Sequence, residues 1–290
     1  LTRPDSNVLL LAYTNRAVDE ICTKLLESGI EFIRLGSTLG CAEAARPCLL
    51  QNKVGECANS ARLISEIKRH RVFVATTTAM NANSALFLLK QFSLGVIDEA
   101  SQILEPQLLG ILSATVNGHD CIRKFVLIGD HKQLPAIVQQ TAAESAVTEE
   151  CLHEIGLTDC RQSLFEHLVR RYRHDPDVCR MLNRQGRMHH DIADFAASNF
   201  YNGLLTEVPL PHQTASLPRC ENMSPGCLIA SHRMLFFDVQ PDAATTVADK
   251  VNHAEARLIA LLLKEIIARE GNTFDPDDTV GVIVPYRNQI

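Results

Sequence analysis

Long apolar runs are missing from this chain of 290 residues. None approaches the roughly 20 residues that a helix needs to cross a bilayer. The best stretch, Leu258 to Leu263, is cut off by Lys264 and Glu265, and no membrane partner is expected. No signal peptide opens the chain, and no initiator Met precedes Leu1. A strand-like run also lies just before Ile290, so the chain reads as an excerpt of something longer. Positive charge is not in excess: a net charge of −6 gives no global electrostatic case for nucleic-acid binding, which favours a basic surface. Two short basic clusters, Lys68-Arg69-His70-Arg71 and Arg170-Arg171-Tyr172-Arg173, suit either phosphates or the solvated face or cap of a helix. The ten cysteines contain no paired C-x-x-C of the zinc-ribbon kind. Reduced thiols in an intracellular compartment, cytoplasm or nucleus, are the favoured reading, with Cys22, Cys121 and Cys179 as small core residues. A loose metal set of Cys41, Cys48 and Cys57 with a fourth ligand stays open. No internal repeat is visible.

Hydrophobic residues make up 46% of the chain, enough to build real cores, and the length favours two domains. Strand-like runs at Val8 to Ala12, Glu31 to Leu35, Val72 to Ala75, Leu94 to Ile97 and Phe125 to Ile128 alternate with helix-like stretches. That is the pattern of a mostly parallel sheet covered on both faces, an α/β fold. A helix over Asn15 to Ser28 ends at Gly29, where a left-handed cap fits. Residues from about 36 to 71 break the rhythm and read as a helical insertion. Polar, acidic sequence between Gln139 and Cys160 suggests a domain boundary, giving a first domain over 1–145 and a second over 146–290. In the second, helices are expected at Leu164 to about Tyr172, His190 to Phe200 and about Val251 to Arg269. Strands are expected at Met234 to Val239 and Val280 to Val284, with a Pro-rich stretch from Pro209 to Pro225.

Two of the strands end abruptly in acid. Gly95-Val96-Ile97-Asp98-Glu99-Ala100-Ser101 and Phe125-Val126-Leu127-Ile128-Gly129-Asp130-His131-Lys132-Gln133-Leu134-Pro135 put carboxylates at the carboxyl ends of buried strands, where α/β sheets place ligands. Together they describe a nucleotide-hydrolysing site. Asp98 has the position of an acid that holds Mg²⁺, usually through water, and Glu99 that of a base or water-orienting group for attack on a γ-phosphate. Gln133 is placed to hydrogen-bond the γ-phosphate or the attacking water. A lone Asp-Glu would read as a strand-end turn; the second run reverses that reading.

These runs resemble motifs II (the Walker B box) and III of superfamily 1 helicases, in the branch containing the nonsense-mediated-decay helicase and the replication helicase-nuclease. The resemblance extends over nearly the whole chain. Thr14-Asn15-Arg16-Ala17-Val18-Asp19 is similar to motif Ia, which implies contacts of Thr14 and Asn15 with the backbone of single-stranded nucleic acid; a helix cap accounts equally for Thr14. Ala75-Thr76-Thr77-Thr78 is similar to a further nucleic-acid-facing loop, implying contacts from Thr76 and Thr77. Gln185-Gly186-Arg187-Met188-His189 resembles the motif usually written Gln-Tyr-Arg-Met-His-Pro, with Phe200-Tyr201-Asn202-Gly203 in place downstream. The resemblance makes Arg187 an arginine finger, a role that suits a permanently charged, bidentate guanidinium. Gly186 stands where the family has the Tyr that lies against the base, and His190 where it has Pro. Val282 to Gln289 resembles the strand and turn before motif V.

The resemblance implies two RecA-like P-loop NTPase domains, both incomplete here, that hydrolyse ATP with Mg²⁺ in the cleft between them. It also implies movement along single-stranded DNA or RNA, five-prime to three-prime. Asp98, Gln133 and Arg187 are the expected nucleotide contacts. The Gly-rich Walker A loop with its Lys does not occur in the chain, so the fragment alone is expected not to turn over ATP. The rival expectation is a degenerate helicase-like module that binds nucleic acid or protein without turnover, for which Gly186 is the best support.

Overall fold

Val8–Ala12 (β1) is an unbroken apolar run, and such runs form strands buried on both faces. In the computed structural model, which describes residues 6–55, 59–219, 224–240 and 250–290, β1 is the middle of a five-stranded sheet. Alternation along the strand sends Leu9 and Leu11 into one core, while the opposite face packs on Val18, Cys22, Phe32 and Leu49. Thr14 then turns the chain into α1 (Asn15–Glu27) by accepting the Ala17 N–H on its hydroxyl at 3.2 Å. Gly29, at φ +65°, ends this turn as expected. β2 (Ile33–Arg34) follows, then the short helix α2 (Leu50–Val54) and α3 (Ser60–Arg69). Among the described residues of this stretch a 3-10 turn over Glu43–Cys48 precedes α2, and Cys41, Ala45, Cys48 and Leu49 are buried in one cluster with Val18 and Cys22 of α1 and with Val72 and Val74.

β3 (Val72–Thr76) leads into α4 (Thr77–Ala82), and β4 (Leu94–Asp98) leads through a tight turn into α5 (Glu105–Leu112). A small hairpin, β5 (Thr115–Val116) with β6 (His119–Asp120), precedes β7 (Phe125–Leu127). The sheet order is β2-β3-β1-β4-β7 and every pairing is parallel. Ala12 is in register with both Thr76 and Asp98, so the carboxyl ends of three neighbouring strands share one edge. Chain order reverses about β1, with β3 on one side and β4 on the other, which is where open α/β sheets bind ligands.

The helices α6 (Ala142–Ser145), α7 (Glu150–Glu154) and α8 (Leu164–Tyr172) complete this part of the chain. By packing, the described residues fall into compact units over Leu1–Arg180 and Met181–Ile290. Leu104 bridges Ser163, Ala146 bridges Asp159, and buried Glu105 meets His167 of α8 at 3.0 Å.

In the second unit β8 (Arg184–Gln185) pairs in parallel with β9 (Thr206–Glu207). α9 (His190–Phe200) packs on β9, α10 (Pro211–Thr214) follows, and α11 (Pro225–Ser231) packs on α12 (His253–Glu270). The strands expected at 234–239 and 280–284 do not form, and neither segment makes ladder pairs among the described residues: Phe236 is 92% exposed and Ile283 96%. An apolar run becomes a strand only when a neighbour satisfies its backbone groups, and no described segment pairs with either.

Seven cysteines, Cys22, Cys41, Cys48, Cys121, Cys151, Cys160 and Cys179, are free thiols, while Cys227 is disulfide-bonded. Cys227 thus stands outside the expectation of reduced thiols. Cys57 of the loose metal set and Cys220 lie outside the described residues. Among the described residues no group of three or more His, Cys, Asp or Glu side chains is arranged to hold a metal ion. No helix among them is long and apolar enough to cross a membrane.

Candidate active site

β4 delivers Asp98 to the sheet edge, and the next residue, Glu99, takes the left-handed conformation at φ 51°, ψ 36°. A glutamate there is strained, by about 1–2 kcal/mol. The bend is held from three sides. The Glu99 N–H donates to Asp98 Oδ1 at 3.0 Å, the Gln102 N–H to the Glu99 carbonyl at 2.9 Å, and the Ala100 N–H to the Ile128 carbonyl at 2.8 Å. Gln102 Nε2 also donates to Glu99 Oε2 at 3.3 Å. The carboxylate that sequence reasoning assigns to water activation is thus oriented by a glutamine three residues on.

The loop after β7 is locked to that bend. The Asp130 N–H donates to the buried Ser101 hydroxyl at 3.2 Å, and Gly129 lies against the Ser101 backbone. Asp130 then organises the loop: its Oδ1 accepts the Lys132 N–H at 2.9 Å, and its Oδ2 accepts Gln133 Nε2 at 3.0 Å. Asp98, Glu99 and Gln133 therefore belong to two loops joined by hydrogen bonds. Ser101 and Asp130 lie inside the two acid-ended runs and Gln102 just beyond the first, but nothing in the sequence distinguished their roles.

The loops expected to face nucleic acid lie on the same edge. Thr14 and Asn15 are exposed, and Asn15 packs its amide against Gly40. Thr14 serves as the cap of α1, and Thr76 caps α4 by accepting the Ala79 N–H at 3.0 Å. Thr77 departs from the expectation, being only 2% exposed. α4 starts directly at the end of β3 and packs on it, so its first residue stays inside. Asp19, in the same Thr14–Asp19 run, is structural: it pairs with buried Arg34 and accepts the Ala42 N–H at 3.0 Å. Arg34 also donates to the Gly40 carbonyl at 2.6 Å, tying β2, α1 and the following loop together.

Both basic clusters are largely committed to local contacts. Arg69 pairs with Glu66 and Glu31, His70 is buried, and Arg71 donates to the Ser6 carbonyl. Arg170 pairs with Glu166, and Arg171 donates to the Ile155 carbonyl.

In the second unit Arg187 is exposed on a turn built by two glutamines. Gln185 Oε1 accepts the Arg187 and Met188 N–H groups at 3.0 and 2.7 Å. Fully buried Gln213 donates to the carbonyls of Gln185 and Met188, both at 3.0 Å. Gln213 lies far from the motif in sequence and carried no signal there. Gly186 is not sterically required: a Cβ on it would meet only Leu210 Cδ1 at 3.5 Å, an ordinary contact.

Two family models, each described as an AAA domain, match residues 57–141 and 160–290. The chain is 30% identical over 295 residues to the DNA replication ATP-dependent helicase/nuclease JHS1 of Arabidopsis thaliana, covering 98% of this chain and 20% of that protein. It is 28% identical over 295 residues to the DNA replication ATP-dependent helicase/nuclease DNA2 of Homo sapiens, covering 98% of this chain and 26% of the relative. With the Saccharomyces cerevisiae protein of the same name it shares 28% identity over 304 residues, 100% of this chain and 18% of the relative. The chain thus spans about a fifth to a quarter of the length of the curated relatives it matches. The parallel sheet, the interlocked acid-bearing loops and these matches converge, and the chain belongs to the superfamily 1 helicases, in the branch of the replication helicase-nuclease.

Proposed function

We propose that the parent protein is an ATP-dependent helicase or translocase acting on single-stranded nucleic acid, with DNA the favoured substrate because the relatives are named for DNA replication. The observation that carries this reading is the hydrogen-bonded union of the Asp98–Gln102 bend with the Gly129–Gln133 loop at the carboxyl edge of a parallel sheet. Such a union lets a group that senses the γ-phosphate act on the group that activates water.

Glu99 accepts a proton from the attacking water, with its carboxylate held by Gln102, and Gln133 offers an amide to the γ-phosphate or to that water. Arg187 supplies positive charge to the transferring phosphoryl group. Asp98 fits a hard divalent cation, since among the described residues only its Oδ1 is engaged, by the Glu99 N–H, and Oδ2 is left for a metal-bound water. Mg²⁺ held there would neutralise charge on the phosphates. Thr14, Asn15 and Thr76 contact the strand backbone, their caps using one acceptor lone pair of each threonine and leaving the hydroxyl proton to donate to phosphate. Thr77, being buried, takes no part in that contact. The protein works in an intracellular compartment that holds DNA.

The test is ATP hydrolysis by the intact parent protein with single-stranded DNA, with RNA and with neither, against Glu99→Gln. Stimulation lost in the mutant supports the motor. Oligonucleotide binding without turnover would favour the second reading, a binding module without ATPase activity, for which Gly186 speaks because it removes an aromatic contact with the base.

A further inference from the structure

Two carboxamide–carboxylate pairs flank the candidate site, and they are mirror images in role. In one, Gln102 Nε2 donates to Glu99 Oε2 at 3.3 Å, and the carboxylate does the chemistry. In the other, Gln133 Nε2 donates to Asp130 Oδ2 at 3.0 Å, and the amide is the group that meets the nucleotide. Gln133 and Leu134 are exposed, and a glutamine on such a loop has three rotatable side-chain bonds. Among the described residues Asp130 is the only side chain that fixes this amide. Asp130 is itself fixed twice, through its N–H to the Ser101 hydroxyl at 3.2 Å and through Oδ1 to the Lys132 N–H at 2.9 Å. The chain Ser101–Asp130–Gln133 therefore starts in the motif II turn beside Glu99 and ends on the γ-phosphate-sensing amide. One amide N–H goes to Asp130, which leaves the second N–H and the carbonyl oxygen for ligand.

We propose that Asp130 is a positioning residue for ATP hydrolysis: anchored on Ser101, it holds the Gln133 amide in its working orientation before nucleotide arrives. This rests on the ATPase reading given above. Preorganised donors accelerate a step because no reorientation is left for the moment of reaction. Asp130 therefore acts on turnover through Gln133 and touches neither phosphate nor water.

The experiment is a double-mutant cycle in the intact parent protein, with Asp130→Ala, Gln133→Ala and the pair, measured as single-stranded-DNA-stimulated ATP turnover beside Glu99→Gln. Asp130→Ala is expected to lower kcat about tenfold or more while KM for ATP stays within about twofold. In the Gln133→Ala background the same change should have no further effect on kcat. Asp130→Asn, which keeps the volume but turns an N–H toward one of its two donors, should fall between wild type and Asp130→Ala. Retained oligonucleotide binding checks that each variant is folded. Equal factors for Asp130→Ala in both backgrounds would overturn the inference and mark Asp130 as a general support of the loop. Turnover that survives Glu99→Gln would overturn the ATPase reading itself, and this inference with it.

Discussion

Gly129 stands so close to Ser101 that a Cβ at position 129 would lie 2.9 Å from the Ser101 backbone nitrogen and 3.3 Å from that of Ala100. Absence of a side chain at 129 is what allows the two acid-bearing loops to touch. Gly129→Ala should therefore cost about 1–3 kcal/mol as an overpacking change and lower turnover in the parent. Ser101→Gly should not rescue it, because the clash is with backbone. Denaturant unfolding of the single and double variants checks both points, and rescue would contradict the steric account.

Glu99 offers the opposite trade. Its left-handed backbone is unfavourable for glutamate and neutral for glycine. Glu99→Gly should stabilise the fold or leave it level, by up to about 1 kcal/mol, while abolishing turnover. Glu99→Gln should abolish turnover with no such gain. A glycine variant markedly less stable than the glutamine one would show that side-chain contacts of Glu99 outweigh the strain.

The Glu105–His167 pair fixes α8 to the first sheet. His167 Nδ1 lies 3.0 Å from Glu105 Oε2, and Nε2 lies 2.8 Å from the Ile155 carbonyl. Removing one partner of a buried hydrogen-bonded pair leaves the other unsatisfied, at about 1–3 kcal/mol. Glu105→Ala and His167→Ala should each cause such a loss, and Glu105→Leu with His167→Leu much less than the sum. Additive losses in denaturant titrations would argue that the two side chains do not interact.

Cys22 has no exposed surface, and burial, followed by the nearby Cys41 and Cys48, pushes its thiol from 9.0 up to about 12. The folded state thus holds the proton more tightly than the unfolded state. The associated stability is fully present below pH 9 and drains away as pH rises toward 12. Cys22→Ala should flatten this alkaline loss. In native protein near pH 8, iodoacetamide should modify exposed Cys151 long before Cys22, and mass spectrometry of the labelled peptides would reveal the contrary order.

Gln213 holds the turn that displays Arg187. Gln213→Ala removes two hydrogen bonds while the Val208 N–H stays on the Gln185 carbonyl and Gln185 Nε2 on that of Met188, an expected cost of about 0.5–1.5 kcal/mol per bond lost, and should reduce turnover nearly as Arg187→Ala does. Gly186→Ala, which meets only ordinary contact, should change stability by less than about 0.5 kcal/mol. Circular-dichroism melts with parallel turnover assays separate the two effects. Unchanged turnover in a folded Gln213→Ala protein would detach the turn from the role of Arg187.

What could be read from the chain directly was whatever is local or periodic. The strand Val8–Ala12 and the helices Leu164–Tyr172 and His190–Phe200 form over the residues expected, because an apolar run or an amphipathic repeat carries its own burial requirement. The acid-ended strands β4 and β7 were legible for the same reason, together with the glycine turn at Gly29. The tertiary structure alone decided the rest. Apolar runs at 234–239 and 280–284 found no ladder partner among the described residues, and buried Glu105 met His167, far from it in sequence. Thr77 turned inward, Glu99 was bent into the left-handed region, and Asp130 closed on Gln133. Each of those outcomes depends on a partner that is brought near only by the fold, and a sequence pattern records the need for burial or a hydrogen bond without naming the residue that will meet it.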